Sequence, residues 1–360
     1  MSTLSRKDFM QLTTGGVIAS LLSAPHDLGN IQPGNKNVVN DEPGDQRLSI
    51  DKLKAWEQLG YGMFIHFGMS TFDGDEFSKG DKNASLYSPD KLDVNQWAGV
   101  ARDAGMKYAV LTAKHVAGHC LWPTKYTDYH VGNSGNKTDV VDVFVKACRA
   151  KGIMPGLYYC AWDNHNLFGS GTPTYLSWAT AFTTEEYREF QWKQLEELLT
   201  QYGPIGEVWL DIPHFLPRDY RQKLYLQIAK WQPDAIILFN HGIGDGSEFK
   251  INTAWPTDVI TIERFVPNSA TRHVKWREIE KKQYYMPAEV CDPIGKEWFY
   301  KETDVPRSDA ELLGMFFICR SRGANLLLDV PPDTHGLIPQ KYIDALQRLK
   351  KNIDKNSFSF

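Results

Sequence analysis

The residues best placed to do chemistry are acids and histidines at the ends of short apolar runs. Gly206-Glu207-Val208-Trp209-Leu210-Asp211-Ile212-Pro213 reads as a buried strand that ends on a carboxylate and is stopped by proline. Side chains alternate along a strand, so Trp209 and Asp211 share a face and an aromatic wall stands beside the acid. Other runs end in the same way: Ile65-His66-Phe67-Gly68, Lys114-His115 followed by Gly118-His119-Cys120-Leu121-Trp122, Tyr158-Tyr159, Asn240-His241, Glu263-Arg264 and Glu289. Gathered on one surface, these side chains are suited to holding a polyol and cleaving its acetal. Hydroxyls need donors and acceptors, and glycoside hydrolysis needs two carboxyl groups flanking the scissile bond. Each residue also has a plain structural reading: His66 as a satisfied core histidine, Asp211 as a helix cap, Glu263 as half of an ion pair with Arg264. His115 and His119, four apart, lack a His-Glu-x-x-His pattern and an evident third ligand, so no metal is expected.

The elements that must position these side chains alternate along the chain. Apolar runs at 61–67, 107–113, 153–160, 207–211, 235–240, 259–263, 284–290 and 325–330 predict eight strands. Between them, 89–104, 138–151, 184–202, 217–231, 274–281, 308–322 and 339–353 predict helices, several opened by signals such as Ser88-Pro89 or Arg307-Ser308-Asp309. Eight strands alternating with helices are the pattern of an α/β (β/α)₈ TIM-like barrel, whose strand ends form the active face. A doubly wound open sheet is the alternative, but no glycine-rich phosphate turn follows the first strand. Residues 47–355 are expected to form one catalytic domain without an appended β-sandwich.

The remaining composition narrows the function. A formal charge of −4 with no run of Lys and Arg gives no footprint for nucleic acid. Eleven Trp, sixteen Tyr and eighteen Phe suit a site where rings stack on sugar faces, although core packing uses most such rings. Five scattered cysteines outside any Cys-x-x-Cys spacing read as buried thiols. No run of eighteen apolar residues follows the N-terminus, so no membrane span is expected. Residues 1–24, with Ser5-Arg6-Lys7-Asp8-Phe9-Met10 before an apolar stretch, read as a twin-arginine-like export signal with Lys in place of the second Arg, which directs a bacterial protein to the periplasm. A frayed amphipathic helix is the alternative. Residues 25–46, rich in Asn, Gly, Pro and Asp, read as a flexible tether.

Several segments resemble the α-L-fucosidases of glycoside hydrolase family 29. They are Tyr61-Gly62-Met63-Phe64-Ile65-His66-Phe67-Gly68, the run from Ala104 to His115, Leu121-Trp122-Pro123-Thr124-Lys125-Tyr126-Thr127-Asp128-Tyr129, and Glu207-Val208-Trp209-Leu210-Asp211. Glu289-Val290-Cys291 with Trp298-Phe299-Tyr300, and Gly323-Ala324-Asn325-Leu326-Leu327-Leu328 with Asp333 to Gly336, add to them, in the right order from about 50 to 350. The resemblance implies a (β/α)₈ catalytic domain, no cofactor, and retaining exo-hydrolysis of terminal α-L-fucosyl residues from an oligosaccharide or glycoconjugate. By position, Asp211 matches the nucleophile, and His66, His115, Tyr158 and Trp209 match sugar contacts. Glu263 is the first choice of acid/base and Glu289 the second. Glu76, His119 and Trp122 are further candidates for the sugar site. Relatives carry His-His-Asp-Gly-Phe where this chain has His115-Val116-Ala117-Gly118-His119, with His119 a candidate to compensate, and Glu-Trp where it has Glu76-Phe77. These departures leave open another L-galacto-configured sugar, or a catalytically weak carbohydrate-binding homologue. Linkage preference and oligomeric state are not written in the sequence.

Overall fold

The computed structural model describes residues 42–166, 184–268 and 273–356. The expected export signal and the tether up to residue 41 lie outside the described residues. The last tether residues, 42–46, are tied down, with Gly44 N donating to Gln283 O at 2.8 Å and the Gln46 side chain donating to Tyr285 O at 3.2 Å.

Among the described residues ten strands follow in chain order: β1 (Tyr61–Ile65), β2 (Tyr108–Lys114), β3 (Met154–Cys160), β4 (Glu207–Asp211), β5 (Ile236–Phe239), β6 (Ile260–Glu263), β7 (Trp276–Ile279), β8 (Lys282–Tyr285), β9 (Ala288–Pro293) and β10 (Ala324–Asp329). Eight of them form one parallel sheet in the order β5-β4-β3-β2-β1-β10-β9-β6. That order is the chain order wrapped into a ring, the (β/α)₈ barrel. β1, β2 and β10 are buried along their whole length, as parallel strands covered on both faces must be.

The ring closes between β5 and β6 without a backbone ladder among the described residues. Isolated backbone bonds, Asp258 N to Ile237 O at 2.8 Å and Gly244 N to Glu263 O at 3.4 Å, and side chains bridge the seam. Asp258 Oδ2 accepts from Ile237 N at 2.8 Å, the Thr257 hydroxyl from Phe239 N at 3.0 Å, and the Thr261 hydroxyl from His241 N at 3.4 Å. Asp258 is itself held by Arg47 and the Tyr225 hydroxyl, so the segment just after the tether buckles the seam.

Nine helices are described: α1 (Ile50–Glu57), α2 (Met69–Asp73), α3 (Val94–Asp103), α4 (Val140–Ala150), α5 (Glu185–Thr200), α6 (Arg218–Trp231), α7 (Ile251–Ala254), α8 (Asp309–Ser321) and α9 (Gln340–Lys355). Side-chain caps set the starts: Asp139 accepts from Asp142 N before α4, Thr184 from Tyr187 N before α5, and Ser308 forms a capping box with Glu311 before α8. The helix expected to begin at 89 starts at 94, because Asp93 rather than Ser88 supplies the cap, to Gln96 N at 3.0 Å. The five cysteines are free thiols, all buried.

One expected element is different in kind. The helix predicted over 274–281 is an antiparallel hairpin of β7 and β8, and the predicted strand at 284–290 is divided between β8 and β9. Glu280 and Lys281 at the turn both have positive φ, 53° and 67°, the signature of a tight turn of type I′. Neither residue favours that region, which costs an L side chain roughly 1–2 kcal/mol. Glu280→Asn with Lys281→Gly is therefore expected to raise stability by about 1 kcal/mol in urea unfolding. An unchanged or lowered midpoint would count against a turn of this type.

Inward side chains fill the barrel in layers. At the bottom, Trp56 of α1 donates to Glu207 Oε2 at 3.1 Å, plugging the N-terminal mouth, and the Tyr108 hydroxyl donates to Glu289 Oε2 at 2.6 Å. Gly62 faces that ring: a Cβ there would lie 2.6 Å from Tyr108, so the strand must approach without a side chain. Phe64, Tyr158 and Trp209 form the middle layer, with Tyr158 and Trp209 stacked at 5.6 Å. The top layer is polar.

Candidate active site

At the C-terminal mouth the ends of β4, β5 and β6 converge. Asp211 Oδ1 accepts from Asn240 Nδ2 at 2.8 Å and from Ile212 N at 2.9 Å, while Oδ2 accepts from the Tyr158 hydroxyl at 2.7 Å. Both oxygens of Asp211 are thus met by donors that hold the carboxyl in place. The same Asn240 nitrogen donates to Glu263 Oε2 at 2.8 Å. Two 2.8 Å bonds to one nitrogen cap the separation of those carboxyl oxygens at 5.6 Å. Asn240 is itself aimed by the seam, since the Thr261 hydroxyl donates to its Oδ1 at 2.9 Å.

Asp211 and Glu263 are both half-buried, open to the mouth. Desolvation of Glu263, then the Asp211 charge, pushes its pKa up to about 7, against the Asn240 bond and the Arg264 charge, which lower it. Two acids in one mouth therefore differ in environment as an acid/base pair requires. Arg264, left-handed at φ 63°, turns its guanidinium over the Trp298 ring at 4.5 Å and toward Asp292 at 3.4 Å.

Aromatic and imidazole rings wall the same cavity. His66 lies 4.9 Å from Trp298, 5.3 Å from Phe299, 5.7 Å from His115 and 5.9 Å from Tyr158, centroid to centroid. His115 stacks on Tyr158 at 5.7 Å, and the Glu76 backbone hydrogen-bonds its ring. Glu76 is near enough to Glu263 for its charge to act on that acid. Burial lowers the His115 pKa well below the ordinary value and the His66 pKa to about 3, so both rings are neutral.

The remaining sequence candidates lie elsewhere. Glu289 is fully buried beneath the Trp209 layer, with Oε1 accepting from Trp209 Nε1 at 3.0 Å and Oε2 taken by Tyr108. It shares a hydrogen bond with the buried Glu207, and it supports Trp209 from beneath rather than facing the mouth. His119 is held by Ser134 at 2.8 Å, with its ring between Tyr87 and Tyr129, so it does not stand in for the missing imidazole at 116. Trp122 donates to Glu197 of α5 at 3.2 Å and belongs to the outer wall of the barrel. Among the described residues no group of three or more His, Cys, Asp or Glu is arranged to hold a metal ion.

Burial, and then the Glu289 charge, raise the Glu207 pKa well above its usual 4.5. A carboxyl neutral in the folded state and ionised in the unfolded one makes folding less favourable as pH rises past about 4.5, by at most about 1.4 kcal/mol per pH unit. Glu207→Gln abolishes that term, so its melting temperature is expected to gain on the wild type between about pH 5 and 8. A gap that stays constant with pH would rule out the protonated pair.

Asn240, Thr261, Trp298 and Asp329 complete the mouth. Asn240 and Trp298 were visible as a strand end and as part of a matched segment. Asp329 ends Leu-Leu-Leu-Asp329 on β10, the same pattern of apolar run and terminal acid that marked Asp211, and that signal was available.

The sequence model of the α-L-fucosidase family matches residues 74–357. Alpha-L-fucosidase 1 of Arabidopsis thaliana is 32% identical over 338 residues, covering 88% of this chain; the chain spans 62% of that protein's length. Among solved structures, α-L-fucosidase isoenzyme 1 from Paenibacillus thiaminolyticus aligns with a TM-score of 0.69 at 25% identity, covering 85% of this chain and 76% of the other. A family 29 α-L-fucosidase from Bacteroides thetaiotaomicron, trapped as a covalent intermediate with 2-fluoro-fucosyl fluoride, shares the fold with a TM-score of 0.69 at 20% identity, covering 89% of this chain and 78% of the other.

Proposed function

The chain belongs to the α-L-fucosidase family, and from that premise we propose that it is a retaining exo-α-L-fucosidase acting on terminal fucosyl residues of oligosaccharides or glycoconjugates. The observation that carries the reading is the single Asn240 amide shared by Asp211 and Glu263, which keeps Asp211 Oδ1 and Glu263 Oε2 no more than 5.6 Å apart. Retaining glycosidases keep their carboxyls about 5–5.5 Å apart, whereas inverting ones leave about 6.5–9.5 Å for a water.

In this reading Asp211 attacks the anomeric carbon as the glycosidic C–O bond breaks, and Glu263 gives its proton to the departing oxygen. The resulting glycosyl ester on Asp211 is displaced by water. Glu263, now a carboxylate, takes a proton from that water, and the free sugar leaves with its starting configuration. Tyr158 and Ile212 N hold the nucleophile's oxygens, and the rings of Trp298, Phe299 and His66 offer faces to the sugar.

The test is hydrolysis of 4-nitrophenyl α-L-fucoside followed by NMR. Initial release of the α-anomer supports the reading, and initial release of the β-anomer overturns it. An absence of turnover with α-L-fucosides alongside turnover of another L-galacto-configured glycoside would move the assignment to that sugar. The proposal extends to location: the basic-then-apolar run from Ser5 to Leu22 fits export to the periplasm. Recovery of the intact, unprocessed chain in the cytoplasmic fraction would overturn that part.

A further inference from the structure

β1 and β10 pair in parallel with Phe64 opposite Asp329, which brings His66, two residues on, beside the carboxyl. Asp329 Oδ1 accepts the backbone N–H of His66 at 3.1 Å and lies 2.8 Å from the Nδ1 of the same residue. A backbone N–H can only donate, so Oδ1 accepts at least that bond. Burial raises the Asp329 pKa well above 3.8, and since the carbonyl oxygen of a carboxylic acid is its better acceptor, a proton on the acid belongs on Oδ2, which leaves Oδ1 to accept from the ring nitrogen as an N–H. A neutral imidazole protonated at Nδ1 carries its lone pair on Nε2. The other oxygen, Oδ2, is buried without a partner. The acceptor role of Oδ1 holds whether or not Oδ2 carries a proton. Among the described residues Asp329 therefore makes its side-chain hydrogen bonds to His66 alone, although the ladder already joins the two strands.

We propose that Asp329 is a positioning residue that fixes His66 in the Nδ1–H tautomer, so that the pocket presents Nε2 as a hydrogen-bond acceptor and selects a sugar hydroxyl that donates there. This deepens the fucosidase reading and takes its consequence for substrate from it, while the tautomer itself stands on the contacts. The titratable and charged groups that face His66 are Asp329, Asp211, Arg264, the Tyr158 hydroxyl and the neutral His115, and burial outweighs their influence on the ring. An acceptor at this point discriminates strongly, because a methyl ether or fluorine in place of the donating hydroxyl leaves Nε2 buried and unpaired.

The test is ¹⁵N-histidine NMR of the full chain, with the His66 signals assigned from His66→Gln, beside Asp329→Ala and Asp329→Asn. In the wild type His66 is expected as the neutral Nδ1–H tautomer between about pH 6 and 8. Asp329→Ala should lose that single tautomer and lower kcat/KM for an α-L-fucoside by about 10²-fold. Asp329→Asn should restore both in large part, since its amide oxygen must face the His66 backbone N–H. A wild-type Nε2–H tautomer or imidazolium overturns the proposal, as does an Asp329→Ala variant that keeps the tautomer and kcat/KM. If Asp329→Ala does not fold, the wild type and Asp329→Asn still decide the tautomer. A chain that turned over no fucoside would fail the functional reading while leaving the tautomer measurement intact.

Discussion

Asp211→Ala is expected to lower kcat/KM for 4-nitrophenyl α-L-fucoside by about 10⁴-fold or more, with the protein still folded. The size follows from the role: removing a nucleophile from a preformed site abolishes the covalent route and leaves only binding and the remaining polar groups. It also follows from position. Asp211 receives donors from Tyr158, Ile212 N and Asn240, and alanine leaves three polar groups facing a half-open mouth where water can reach them. The fold should therefore tolerate the change better than the chemistry does. Azide, small enough to enter the vacated space, should restore turnover and yield a β-fucosyl azide by a single inversion. Turnover within tenfold of the wild type would remove Asp211 from the mechanism.

Glu263→Ala is expected to act differently according to the leaving group. Fucosides with poor leaving groups should lose about 10³-fold, and activated aryl fucosides much less, because only the former need a proton on the departing oxygen. Azide should accelerate release of the trapped intermediate as an α-fucosyl azide, the product of two inversions. The pH profile gives an independent reading. The acid acts in its protonated form, so with a pKa pushed up to about 7 by desolvation and the Asp211 charge, activity should fall as pH rises through about 7. Glu263→Gln should remove that alkaline limb. Glu289→Gln should show no dependence on leaving group, since Glu289 lies under Trp209 and is sealed from the mouth. The opposite pattern would exchange the roles of the two acids.

The barrel and the strand that ends on Asp211 were legible because both depend on local rules. An apolar run of five to seven residues ending on a polar side chain reads the same whatever surrounds it, and Asp211 and Glu263 both satisfy that pattern. Glu289 satisfies it too, and the sequence cannot rank the two, since strand register decides the layer: Glu263 pairs with Cys291, two residues above Glu289. Asn240 was visible as a strand end, but its bridging between acids from two other strands belongs to the closed ring. The hairpin at 276–285 was misread because its turn uses Glu280-Lys281 instead of the Asn-Gly or Asp-Gly that would have announced it. Trp122 and His119 were drawn to the mouth by their neighbours in sequence, whereas Glu197 and Ser134 hold them away from it.

The seam between β5 and β6 gives this barrel two ends, as a curled ribbon has, and the two acids of the proposed mechanism stand on either side of the join. Asp211 belongs to the length that ends in β5, and Glu263 to β6 at the other end. A closed ladder would have fixed their distance by the repeat of the backbone. Here isolated backbone bonds are joined by exchangeable side chains, Thr257, Asp258, Thr261 and Asn240, none of which is an acid of the proposed chemistry. The gauge of the active site is thus open to adjustment by substitutions that leave both acids in place, in a fold otherwise bound to a fixed pitch.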